Sequence, residues 1–187
     1  ISRFAELREA EDQRRFISEH LYPPSSGENV PGDLATMGAM THDDLKFLVK
    51  SGHTIGAHGA THTRLSEIGD RRGLAEEIVR GADLLQDELG VEIEHFAFGF
   101  GNLASFSPDA LLVARERFPY IYTGMRGDNA RNVPPWAIRR DTLTPKDSLW
   151  VTGAFIEGAA DRRYRQSLET YERWGASEET DPSVRSG

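Results

Sequence analysis

The chain has 187 residues, a length that suits one domain, and its 38% hydrophobic and 28% charged residues are those of an ordinary soluble globular protein. A formal charge of −8 and a sequence pI near 5.3 argue against a nucleic-acid partner, which needs clustered Lys and Arg. The absence of cysteine excludes disulfides, thiolate metal ligands and a Cys nucleophile, and no apolar run approaches the roughly 20 residues of a transmembrane segment.

The chain opens on Ile1 without a signal-peptide pattern, so its start is expected to be internal to a longer sequence, and the compartment, cytoplasm or cell envelope, stays open. Phe4, Leu7, Ala10, Arg14 and Ile17 predict a charged helix over residues 3–20, ending before Pro23-Pro24. Residues 21–40, with Ser25-Ser26-Gly27 and Pro31-Gly32, predict a long loop or lid, so that 1–40 reads as an N-terminal helix and loop inserted in the same domain. Thr41-His42-Asp43-Asp44 predicts a capping box: Thr41 is the N-cap, Asp44 reaches back, and Leu45, Leu48 and Val49 share one face of the following helix.

The segment Gly52-His53-Thr54-Ile55-Gly56-Ala57 reads as a strand that delivers His58 and His62, three residues apart. On a helical turn that spacing puts both imidazoles on one face, where they can converge on one cation; two unrelated loop histidines are the alternative. Leu74, Ile78, Ala82, Leu85 and Leu89 predict a surface helix stopped by Gly90. Val91 to Phe100 predicts a strand, with His95 a structural histidine inside it; Ser107-Pro108 starts a helix, and Tyr120-Ile121-Tyr122 is a further strand. Leu149, Trp150, Phe155, Ile156, Tyr164, Leu168 and Tyr171 predict one or two helices up to Trp174 whose aromatic residues pack on a core, and 175–187 is a polar tail. Helices alternating with strands make an α/β domain over 41–174 with parallel strands, as an open sheet or part of a β/α barrel.

The stretch from Met40 to Ser66, with its helix, the Gly-His-Thr-Ile-Gly-Ala-His strand and the His-x-x-x-His pair leaving through Leu65-Ser66, resembles the second motif of the polysaccharide deacetylases of carbohydrate esterase family 4, the NodB homology domain. Phe96-Ala97-Phe98-Gly99-Phe100-Gly101 is similar to the third motif and Ile138-Arg139 to a later Pro-Arg segment. The resemblance implies a distorted seven-stranded β/α barrel, incomplete in this chain, that removes acetyl groups from an N- or O-acetylated polysaccharide or oligosaccharide with a divalent metal, in the first place Zn²⁺. His58 and His62 would be two ligands. The implied third ligand and general base, the paired aspartates of a Thr-Phe-Asp-Asp-Gly motif, and the acid histidine of a Leu-x-His motif have no counterpart here, so no catalytic acid or base is assigned. A Thr-Phe-Asp-Asp-Gly-like segment upstream of Ile1 is expected if the chain is a truncated enzyme; a noncatalytic carbohydrate- or partner-binding member of the fold is the alternative. Asp43 and Asp44 are expected to cap a helix and not to replace the missing pair. Gly59 stands where the family has Ser or Thr, with Thr61 and Thr63 near enough to orient a ring. Phe98, Phe100, Gly101 and Arg139 are the candidate substrate-binding residues.

Overall fold

The computed structural model describes residues 40–129, 133–143, 147–159 and 161–179. The expected helix over 3–20, most of the 21–40 loop and the end of the tail lie outside them. Helix α1 (His42–Lys50) opens on the expected capping box: the Thr41 hydroxyl accepts from the Asp44 amide at 3.2 Å and the Asp44 carboxylate accepts from the Thr41 amide at 2.8 Å. The Thr41 hydroxyl also donates to the Asp44 carboxylate at 2.6 Å, and that bond, with the one from the Thr41 amide, holds the carboxyl below the usual carboxylate range.

The predicted helix over 74–89 is two helices, α2 (Arg71–Ile78) and α3 (Arg80–Leu89), separated by Val79. Asp70 caps α2 through the Gly73 amide, and Gly90, at φ 65°, ends α3 in the left-handed conformation that a residue without Cβ adopts at no steric cost. Ser107 caps α4 (Pro108–Arg117), with Pro108 in the first turn as its composition predicts.

Strand β1 is only His95–Ala97, shorter than the expected 91–100, because Gly99 and the left-handed Phe100 and Gly101 turn the chain away. It pairs in parallel with β2 (Tyr120–Tyr122), His95 opposite Tyr120 and Ala97 opposite Tyr122. Single parallel bridges, Ala57 to Phe96 and Tyr122 to Ile138, extend the pair on both sides. The segment before His58 is thus held by one bridge and is not a full strand. All four segments run parallel in chain order, with α2 and α3 crossing over between the first and β1, and α4 between β1 and β2, which is the expected α/β arrangement. The described residues do not close it into a barrel.

Alternation along the strands sorts the two sheet faces. Phe96 and Ile121 are buried against the helices with Phe98, Leu74, Ile78, Leu111 and Phe118, while His95, Ala97 and Tyr122 line a cavity of about 530 Å³ on the other face. Helix α5 (Leu149–Ile156) departs from expectation. Leu149, Trp150 and Ile156 are 91%, 80% and 73% exposed and no residue of the helix is buried; Arg126 holds it, stacked 3.7 Å from the Phe155 ring and donating to the Phe155 carbonyl. Helix α6 (Arg165–Glu179) carries the expected core residues Leu168 and Tyr171 and continues past Trp174, where the polar tail was expected to start. Gly175 makes that possible. A Cβ there would meet the Trp136 ring at 2.3 Å, and the Gly175 carbonyl accepts from Arg115 at 2.7 Å.

Candidate metal centre

His58 follows directly from the bridged Ala57, and its Nδ1–H donates to the Ala97 carbonyl at 2.6 Å, one segment across the sheet. That bond fixes the tautomer and leaves Nε2 with its lone pair available to a cation. The His58 and His62 rings meet edge to face with centroids 5.0 Å apart. Two imidazoles sharing one tetrahedral ion at about 2.1 Å per nitrogen have ring centres roughly 5 Å apart, and the observed separation is compatible with that arrangement. The Nδ1 of His62 is buried without a hydrogen-bond partner, and burial, helped by the neighbouring His58, lowers the His62 pKa. Both effects favour the neutral ring that a metal requires.

The route from His58 to His62 is not the helical turn that the spacing suggested. Gly59 has φ 90° and His62 itself has φ 60°, so the chain makes an open loop. Gly59 also takes the place of a hydroxyl residue for a steric reason: a Cβ there would lie 2.9 Å from the Glu77 carboxylate. Thr61 does not orient either ring; its hydroxyl is bonded to Thr63 and Glu77.

The substrate-binding expectations divide. Phe100 packs edge to face on His62 at 4.7 Å and lies beneath the Arg64 guanidinium, inside the site. Phe98 is corrected to a core residue: its side chain is fully buried, stacked on Phe106, and only its carbonyl faces the cavity side, accepting from Arg140 at 3.2 Å. Gly101 allows a close crossing of two backbones, since a Cβ would lie 2.5 Å from Gly124 Cα. Arg139 is corrected too. It pairs with Glu172 on α6 at 3.0 Å and donates to the Asp128 carbonyl, away from the histidines. Its neighbour Arg140 lines the cavity that also contains His58, held by the Thr123 and Phe98 carbonyls. Burial pulls its pKa down, and no carboxylate pairs with it among the described residues. His95 is, as expected, occupied structurally, bonded to the Tyr122 hydroxyl at 2.9 Å and stacked on Tyr120. Asp44 is occupied by the Thr41 cap and Asp43 lies beside it in the first turn of α1, and among the described residues no third His, Cys, Asp or Glu joins the pair.

A family model for polysaccharide deacetylases matches residues 19–117. The chain belongs to the polysaccharide deacetylase family. Solved structures agree on the fold. A polysaccharide deacetylase from Bacillus cereus superposes with a TM-score of 0.54 at 19% identity, over 65% of this chain and 38% of its own. The Streptococcus pyogenes deacetylase PplD in complex with acetate gives 0.53 at 17%, over 62% and 50%. A de-N-acetylase from Aggregatibacter actinomycetemcomitans gives 0.52 at 13%, over 71% and 58%. The chain therefore spans about two fifths to three fifths of the length of these relatives. No curated protein matches it.

Proposed function

We propose that this chain carries the two-histidine side of a divalent-metal centre, in the first place for Zn²⁺, that serves hydrolysis of acetyl groups on an N- or O-acetylated polysaccharide or oligosaccharide. The observation that carries the reading is the His58/His62 pair itself: centroids 5.0 Å apart, one ring locked by a carbonyl with Nε2 left over, the other half-buried and held toward neutrality. A metal bound there would polarise the acetyl carbonyl and lower the pKa of a water.

The chain's own residues supply the surroundings. His58 and His62 hold the ion, and Phe100 closes one side of the His62 ring against water. Arg140 is a fixed guanidinium on the cavity, where it can bind the carboxylate of released acetate or the oxygen of the acyl group. That PplD is a deacetylase described with acetate makes acetate the first ligand to try.

The test is acetate release from a chito-oligosaccharide and from acetylated xylan with added Zn²⁺, comparing the chain with its His58→Ala, His62→Ala double variant. Two ligands without an assigned acid or base should give a rate little above background that the double variant abolishes. Saturable oligosaccharide binding that is indifferent to metal and to both substitutions would instead favour a noncatalytic member of the family.

A further inference from the structure

Glu77 is an acidic residue on the core side of α2, only 7% exposed, between the buried Ile78 and the histidine loop. A buried carboxylate is costly unless its oxygens are satisfied. Here every satisfying donor comes from one place. Oε1 accepts from the Thr61 amide at 2.8 Å and the Thr63 amide at 3.3 Å, and Oε2 accepts from the Thr61 hydroxyl at 2.9 Å. The Glu77 main-chain carbonyl takes the Ala60 amide at 2.9 Å. No Lys or Arg pairs with the carboxylate among the described residues, so it is held by the loop that joins His58 to His62, and that loop is wrapped around it. The contact reaches Gly59, where only a missing Cβ leaves room for Oε1.

We propose that Glu77 is the positioning residue of the metal-binding histidine pair: through the loop amides it sets the separation of the two imidazoles and keeps His62 in its left-handed conformation. The proposal rests on the metal reading of the pair for its consequence, and on the hydrogen bonds alone for its geometry. Helix α2 is anchored by Leu74 and Ile78 in the core, so Glu77 transmits a rigid reference point to a loop without regular structure. A Gln side chain keeps the Oε1 acceptor and most of the arrangement, whereas Leu removes all three side-chain bonds.

The experiment uses the 187-residue chain with Co²⁺ as the probe, titrated by its visible absorption, and NMR ring-to-ring cross-peaks between His62 and Phe100 in the metal-free protein. Glu77→Leu is expected to weaken Co²⁺ binding at least about tenfold and to erase the cross-peaks, with Glu77→Gln restoring affinity to within about threefold, since specific positioning by a buried carboxylate lost to an apolar group is a large effect. Thr61→Val, which deletes the Oε2 bond while leaving the core untouched, is expected to weaken binding two- to fivefold and keeps the test valid if Glu77→Leu fails to fold. Parent-like affinity and intact cross-peaks in the folded variants, whatever happens to their thermal stability, would overturn the proposal. Co²⁺ binding that ignores His58→Ala and His62→Ala would overturn the metal reading instead, and the cross-peaks then decide the positioning role by themselves.

Discussion

His62 and Phe100, the two non-glycine residues with positive φ among the described residues, pack ring against ring with centroids 4.7 Å apart. Two strained backbones from different loops thus meet at one point, on the candidate metal centre. Left-handed conformation costs a non-glycine residue on the order of 1–2 kcal/mol, and it persists where the surroundings hold it.

The first prediction follows from that strain. His62→Gly should leave the metal-free protein as stable as the parent, or raise stability by up to about 1 kcal/mol, although it deletes a half-buried ring, because glycine enters the left-handed region freely. Metal binding should be lost. Denaturant midpoints and a Co²⁺ titration measure both, and a stability loss above about 1 kcal/mol would show that the backbone is unstrained.

A second prediction concerns pH. Burial and His58 lower the His62 pKa below the usual 6.5, so as pH falls the unfolded chain takes up the proton before the folded one does. The stability from the neutral ring is whole above about 6.5 and is lost progressively as pH falls through the depressed folded value. Unfolding curves between pH 8 and about pH 5 should show this decline in the parent and a shallower one in His62→Gln.

The two phenylalanines of the third-motif segment should separate cleanly. Phe98→Ala should destabilise the fold by about 3–5 kcal/mol as a core deletion. Phe100→Ala should cost less and act on the His62 ring, seen as a changed imidazole chemical shift without a matching loss of thermal stability.

Gly59→Ser brings the chain nearer to the family pattern and should nevertheless do harm. The φ of 90° and the 2.9 Å approach to Glu77 both oppose a side chain, so a loss of about 1–3 kcal/mol and weaker metal binding are expected. A gain in Co²⁺ affinity would mean that the loop readily adopts another path.

The last prediction contrasts adjacent arginines. Arg139→Gln breaks a partly exposed pair with Glu172 and should cost no more than about 1 kcal/mol while leaving acetate binding unchanged. Arg140→Gln should weaken acetate binding in NMR titrations, because it removes the guanidinium of the cavity.

Features set by neighbours in sequence were legible there. The Thr41/Asp44 box, the Ser107-Pro108 start, the Gly90 stop and the Tyr120–Tyr122 strand each depend on a few adjacent side chains. The spacing of His58 and His62 pointed to their meeting, but not to the path between them; Gly59 immediately after His58 was the available sign against a helical turn. Glu77 was hidden among acidic residues of an amphipathic helix, since its burial arises only when the 60–63 loop folds over it. The exposure of Leu149 and Trp150 was equally invisible: periodicity identifies an apolar helix without saying whether anything lies beside it.

The opposed directions of Arg139 and Arg140 depend on a single phase. Segment 138–140 is keyed to β2 by the Tyr122–Ile138 bridge, and Asn129 locks it by accepting from the Arg139 amide and donating to the Arg139 carbonyl. An insertion of one residue between Ala137 and Ile138 would shift every following side chain to the other side. Arg139 would then take the place of Arg140, and Arg140 that of Asp141: the cavity would still receive a guanidinium, now from the residue that had faced Glu172. The doublet therefore makes the cavity's positive charge tolerant of a one-residue insertion, whereas a one-residue deletion would bring Asp141 there and reverse it.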